Sequence, residues 1–332
     1  MSKLKLSMVL SNNERTRPIA DGSVTVQGVE LVVTTVHPSE MFWRQLKFQE
    51  FDISEMSLST FLIMREQGDN TWAGLPIFTT RKFFHTGILV RKDAGILEPA
   101  DLRGKRVGVA EYQQTAALWS RGVLRHEFGV MPEDMDWYME RTEEVSHGGA
   151  TKFEPPAGVS FHRIPVEKTI ASMLISGELD AALNYLNDNN LVDRSRGTDV
   201  RKHPMVTTLF PDPEAEGIRY FEKTGIFPIN HCVVIKRTVL EQNPWLALNL
   251  YNSFRIAKET VIERTRELTE VYSSIGWLSQ DGKQKMRMDP FPYGVASNRS
   301  LLEKITQYSH EQGLTKRRLS LEEIFTKSTL DL

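Results

Sequence analysis

The stretch DLRGKRVGVAEYQQTAALWSRGVLRHEFGV, residues 101–130, decides the fold. Within it KRVGVA reads as a strand, and Thr115 to Phe128 reads as a helix closed by Gly129, the residue that best adopts the left-handed turn at a helix end. The same strand-then-helix order recurs upstream. A strand from Leu4 to Leu10 precedes RTRPIADG, where Pro18 suits a first helical turn. GVELVVTTV (28–36) precedes a helix from Ser39 to Gln49. FDISEM (51–56) precedes SLSTFLIMREQG, a helix capped by Ser57 or Ser59 and closed by Gly68. Downstream come a strand over 159–164, a helix over 166–176 and the strand LDAALN. GIFPINHCVVIKR then returns as a strand before helices over about 238–276 and 298–312. Alternation of this kind predicts α/β architecture built from parallel βαβ units. ERTEEVSHGGATKFEPPAGV (140–159), rich in charge, Gly and Pro, reads as a flexible loop.

The chain has 332 residues, 40% hydrophobic and 25% charged, enough for two globular domains. A formal charge of -2 provides no global basic field for nucleic acid or anionic lipid, so any anion recognition is local. No run approaches the roughly 20 apolar residues of a membrane span, and the opening residues lack a signal peptide's apolar core, so a cytoplasmic protein is expected. The single cysteine, Cys232, sits in the strand-like NHCVVIKR and reads as core. There is no G-x-G-x-x-G, P-loop, H-E-x-x-H or paired-Cys motif, so no nucleotide cofactor is expected; ligands drawn from distant strands leave a divalent metal open.

DLRGKRVGV followed some seventy residues later by LISGELDAALN resembles the second lobe of a type II periplasmic-binding-protein fold. That resemblance implies two α/β lobes flanking a ligand cleft and joined by two chain crossings, the first at HTGILVRKD and the second before INHCVVIKR. It divides the chain into lobe 1 (1–90 and 226–332) and lobe 2 (91–225). Six further pieces in order, RTRPIADGSV, FDISEMSLSTFL, Arg81 to His85, GVAEYQQTAALWSRG, KTGIFPINH and DPFPYGVASN, resemble the 4,5-dihydroxyphthalate decarboxylase family across nearly the whole chain. The resemblance implies a carboxy-lyase that converts 4,5-dihydroxyphthalate, or a close relative, to protocatechuate and carbon dioxide. NYLNDNNLVDRSRG (184–197) departs from the family's pattern, which leaves the choice among hydroxylated phthalates to that wall. The alternative is a non-catalytic binding protein or sensor for a small anionic aromatic. A homo-oligomer is compatible with the long C-terminal helices.

In an open α/β sheet, ligands sit beyond the carboxyl ends of strands, where helix N-termini present free N–H groups. Three such ends are legible: Arg15 to Pro18, Ser57 to Ser59, and Tyr112, Gln113, Gln114 and Thr115. Plain capping is the competing reading for each. Arg81 and Arg17 are the expected carboxylate ligands, because a guanidinium offers a planar bidentate fork that stays charged. Lys82 is expected to be solvated and to face away. Decarboxylation of a hydroxylated aromatic acid requires an acid to protonate the ring carbon that loses carbon dioxide. His85 and His231, each before an apolar strand at a crossing, are the candidates, expected to face each other at the cleft floor; satisfied structural histidines are the alternative. Glu111, after KRVGVA, is read as a base or metal ligand against surface capping, with Glu55 a lesser candidate. A His85, His231 and Glu111 metal cluster stays open, and His147 and His162 are read as inert.

Overall fold

The structure is a computed structural model and describes residues 3–332. Strands β1 (Leu4–Leu10), β2 (Val29–Thr35), β3 (Ile53–Ser57) and β4 (Trp72–Arg81) open the chain. Strands β5 (Leu89–Arg91), β6 (Arg106–Val109), β7 (Asp136–Met139), β8 (Ser160–Arg163), β9 (Ala181–Leu183) and β10 (Val206–Thr208) follow, and β11 (Ile229–Lys236) comes last. They form two sheets of order β2-β1-β3-β11-β4 and β10-β5-β9-β6-β7-β8. Within each sheet the strands joined by helical crossovers are parallel, as in β1–β2, β1–β3, β6–β7 and β6–β9. The antiparallel members, β11 in the first sheet and β5 in the second, are those that arrive from the other lobe. Both sheets are therefore mixed, which strand–helix alternation alone does not predict.

The chain passes from the first sheet to the second between β4 and β5, since β5 is already hydrogen-bonded to β9. Helix Thr115–Phe128 matches its expected bounds, with Gly129 at φ 67°. The helix expected from 166 starts at Ile170, where the Thr169 side chain accepts from the Ser172 N–H. The expected cap on helix Leu58–Glu66 is absent: neither serine caps it, and Ser57 turns toward the other lobe instead.

Helix Arg299–Glu311 also packs against the second lobe. Gln312 Nε2 donates to the Leu118 carbonyl and Gln312 Oε1 accepts from Arg121 Nε. A Cβ at Gly122 would lie 2.1 Å from the Tyr308 ring, so only glycine allows that approach. Cys232 is fully buried, and burial pushes its thiol well up. Among the described residues no helix is long and apolar enough to cross a membrane.

Candidate active site

A cavity of about 680 Å³ lies between the sheets, at the carboxyl ends of their strands. Ser11 to Asn13 follow β1, His37 and Ser39 follow β2, and Ser57 ends β3; Gln114 and Thr115 lie beyond β6, Arg141 beyond β7 and Asn184 beyond β9. Helices Pro38–Phe48, Leu58–Glu66 and Thr115–Phe128 all begin here. Their first amide N–H groups have no intrahelical acceptor, and their dipoles put partial positive charge at the cavity wall.

His231 forms the cavity's most organised group. β11 lies between β3 and β4, so His231 pairs with Ser57 on one side and Thr80 on the other. Its Nδ1 is 3.0 Å from Glu55 Oε2. Glu55 has no solvent exposure and its carboxylate is saturated: Oε2 also accepts from Thr79 Oγ1 at 2.7 Å, and Oε1 accepts from the Ser11 N–H and Oγ at 2.7 and 2.8 Å. Burial alone would push the Glu55 carboxyl up, but the hydrogen bonds from His231, Thr79 and Ser11 outweigh it and hold it below the usual carboxylate range. An ionised acceptor on Nδ1 keeps the proton there, leaving Nε2 to the cavity side, where Asn230 Nδ2 lies at 2.9 Å. Turning the Asn230 amide over presents its oxygen to a protonated Nε2.

A second histidine has the opposite environment. His147 Nε2 is 3.2 Å from Arg141 Nη1, so that nitrogen accepts, and Nδ1 donates to Thr60 Oγ1 at 3.2 Å. Burial, with the Arg141 charge alongside, holds His147 well below the ordinary imidazole range and keeps it neutral. Arg141 donates from Nε to Asp193 Oδ1 at 2.8 Å and from Nη2 to Ser39 Oγ at 2.7 Å. Thr60, His147, Arg141 and Ser39 thus tie the two lobes across the cleft. Phe42 sets its ring edge-on to both imidazoles, at 4.8 Å from His231 and 5.7 Å from His147.

Of the expected residues, His231, Ser57, Gln114 and Thr115 line the cavity, and Ser57 Oγ lies 2.9 Å from Thr115 Oγ1 across the lobes. Ser59 and Gln113 stand one layer behind: the Ser59 N–H donates to Thr115 Oγ1, the Ser59 hydroxyl donates to the Gln113 carbonyl, and Gln113 Oε1 accepts from Thr151. Tyr112 lies in the second lobe's core, with the Arg121 guanidinium 3.8 Å over its ring. Glu111 is neither a surface cap nor a cavity base. Its Oε2 holds the Ser146 hydroxyl and the His147 N–H, so it secures the segment expected to be a flexible loop. Arg17 is exposed and ion-paired to Glu14 beside a smaller depression.

Arg81 and His85 do not meet the cavity. The Arg81 guanidinium donates to the carbonyls of Phe227 (3.1 Å) and Pro292 (2.8 Å) and to Asn298 Oδ1 (2.5 Å), which anchors the C-terminal segment to β4. Burial lowers it to about 10, so it stays charged near neutrality. Successive side chains of a strand point to opposite faces, which turns Thr79 and Arg81 inward and puts Thr80 and Lys82 on the cavity. Lys82 therefore faces the site rather than away from it. His85 turns to helix Pro213–Thr224, its Nε2 3.2 Å from Glu216 Oε1, and burial lowers its imidazole. His85, His231 and Glu111 do not cluster, and among the described residues no three His, Cys, Asp or Glu side chains gather to hold a metal ion.

Sequence reading missed Arg141, His147 and Lys82. The first two sit in a charge- and glycine-rich run that resembles a solvated loop; Lys82 required the strand parity around β4.

No family model matches the chain. It is 33% identical over 334 residues to the 4,5-dihydroxyphthalate decarboxylase of Comamonas testosteroni, covering 100% of this chain and 99% of that one. It is 36% identical over 214 residues to the 4,5-dihydroxyphthalate decarboxylase of Pseudomonas putida, covering 64% of this chain and 80% of that one. Solved structures of similar fold include the desulfurization enzyme DSZB, with a TM-score of 0.56 at 15% identity over 99% of this chain and 98% of that one. The periplasmic aliphatic sulphonate binding protein SsuA of Escherichia coli gives 0.54 at 12% identity over 100% of both chains. At such identities these likenesses establish the two-lobed periplasmic-binding-protein fold alone.

Proposed function

The chain belongs to the 4,5-dihydroxyphthalate decarboxylase family, and we propose that it removes one carboxylate of 4,5-dihydroxyphthalate in the interlobe cavity, with His231 as the proton donor. Each carboxylate of this substrate is para to a ring hydroxyl. The hydroxyl oxygen pushes electron density to the carbon that bears the carboxylate, and a proton from His231 Nε2 forms a C–H bond there. The C–C bond then breaks, its electron pair restores the aromatic ring, and carbon dioxide departs. One proton is consumed per carboxylate lost, so His231 recovers a proton from solvent in each cycle.

Glu55 is the positioning residue in this scheme. Its buried carboxylate orients the imidazole through Nδ1 and so turns Nε2 to the substrate. The free amides of helix Thr115–Phe128 and the hydroxyls of Ser57 and Thr115 supply donors for the anionic substrate. Phe42 and Phe84 give the cavity apolar wall against which a flat ring packs. The observation that carries the reading is the Glu55–His231 pair, buried behind and open to the cavity in front.

The test is incubation with 4,5-dihydroxyphthalate in H₂O and D₂O, following protocatechuate by chromatography and mass spectrometry. Wild-type protein is expected to form it with one deuterium on the ring carbon vacated in D₂O. His231→Gln is expected to lower kcat by about 10²–10⁴-fold, the usual worth of a general acid. A folded His231→Gln protein with unchanged turnover would remove His231 from the chemistry; no product from the wild type would overturn the assignment of substrate.

A further inference from the structure

Protocatechuate still carries a carboxylate para to a hydroxyl, so ring electronics do not prevent a second loss of carbon dioxide. Recognition must stop the reaction after one, and the charges that line the cavity are where it can act. Its lining cations are Lys82 and Arg141. Arg141 is already committed to Asp193, Ser39 and His147. Among the described residues the Lys82 ammonium has neither a hydrogen-bond acceptor nor an ion-pair partner, while the Lys82 N–H donates to the Pro228 carbonyl at 3.2 Å and fixes the backbone to the β4–β11 wall. That wall carries His231 opposite Thr80, two residues from Lys82, about 7 Å of strand. Lys82 and His231 therefore line the same wall of the cavity.

We propose that Lys82 holds the carboxylate the reaction keeps, and so restricts the enzyme to aromatic acids with a second carboxylate ortho to the one lost. This rests on the decarboxylase reading above. An ion pair stabilises the carboxylate that must not give up its electrons to the ring. The departing carboxylate lies instead beside His231 and the edge of Phe42, where loss of hydration favours a charged group becoming neutral carbon dioxide. The product binds by its remaining carboxylate, and that binding places a C–H rather than a second carboxylate before His231.

Lys82→Met and Lys82→Arg in the full-length protein test this. The methionine variant is expected to raise KM for 4,5-dihydroxyphthalate about 10–100-fold, the worth of one charge-assisted contact, with kcat within about threefold. The arginine variant is expected to retain most of the affinity. Competitive inhibition by protocatechuate should weaken in parallel in the methionine variant, inhibition by catechol, which has no carboxylate, should not change, and wild-type protein should form no catechol from protocatechuate. An unchanged KM in Lys82→Met, equal weakening of catechol, or catechol formed by the wild type would each overturn the role of Lys82. A wild type inert toward 4,5-dihydroxyphthalate would instead overturn the decarboxylase reading, and calorimetric titration of protocatechuate into wild type and Lys82→Met would still report on the anchor.

Discussion

His147→Gln isolates a pH-dependent contribution to stability. Native His147 is neutral, fully enclosed, accepting from Arg141 on one nitrogen and donating to Thr60 from the other. An unfolded chain returns this imidazole to its ordinary pKa of about 6.5. A folded value below the unfolded one means that the stabilisation is complete above about pH 6.5 and is lost as pH falls toward the folded value, because only the unfolded state takes the proton. Between pH 7.5 and 5.5 the loss from this one group is about 1.4 kcal/mol, one tenfold shift in the unfolding equilibrium. Glutamine reproduces one acceptor and one donor but takes no proton. Urea unfolding at both pH values should therefore show wild type losing about 1.4 kcal/mol more than the variant. His85 and His37, whose imidazoles burial also lowers, act with the same sign but are present in both proteins and cancel in the difference. A variant with the full wild-type pH slope would refute a neutral, enclosed His147.

Glu55→Gln keeps one acceptor oxygen where the carboxylate has two, each serving two donors, so satisfying Ser11 turns an amide N–H toward His231 Nδ1. We expect kcat to fall about 10²-fold with KM within threefold and a flattened pH–rate profile, and an unaltered profile would show that the carboxylate does not act through His231. Arg81→Met strips donors from Phe227, Pro292 and Asn298 and is expected to cost about 2–4 kcal/mol in urea unfolding with KM unchanged; a tenfold rise in KM at full stability would return Arg81 to the site. Electron supply from the substrate's own hydroxyl needs no metal, so prolonged dialysis against EDTA should leave turnover intact, and loss restored by a divalent ion would refute acid catalysis alone.

Much of the fold is legible because its signals are local. Gly129 needs only its own backbone geometry to end helix Thr115–Phe128, and the strands β1 and β11 are largely apolar runs flanked by turn or helix signals. Strand direction is not local. Whether β11 runs parallel or antiparallel to β3 depends on which lobe the chain comes from, and no residue of INHCVVIK records that.

The site divides along the same line. Ser57, Gln114 and Thr115 are legible because each stands at a strand's carboxyl end or a helix start, where the topology rule places ligands, whereas His231 is legible as an imidazole set before an apolar strand at a chain crossing. Arg81 misleads because chemistry favours guanidinium over ammonium for a carboxylate, while strand parity decides which of two adjacent cations faces the ligand. Parity here turns on register: opposite Val233 and His231, β4 advances from Leu75 to Thr80, so the extra residues of a bulge intervene before Arg81. Arg141 and His147 are hidden for another reason. Their burial comes from Asp193 and Glu111, distant in sequence, and a run such as RTEEVSHGG carries no apolar period to announce that it is enclosed. A buried polar network leaves its mark in partners rather than in pattern, so the cross-lobe tie among Thr60, His147, Arg141 and Ser39 becomes visible only when the two lobes are placed side by side.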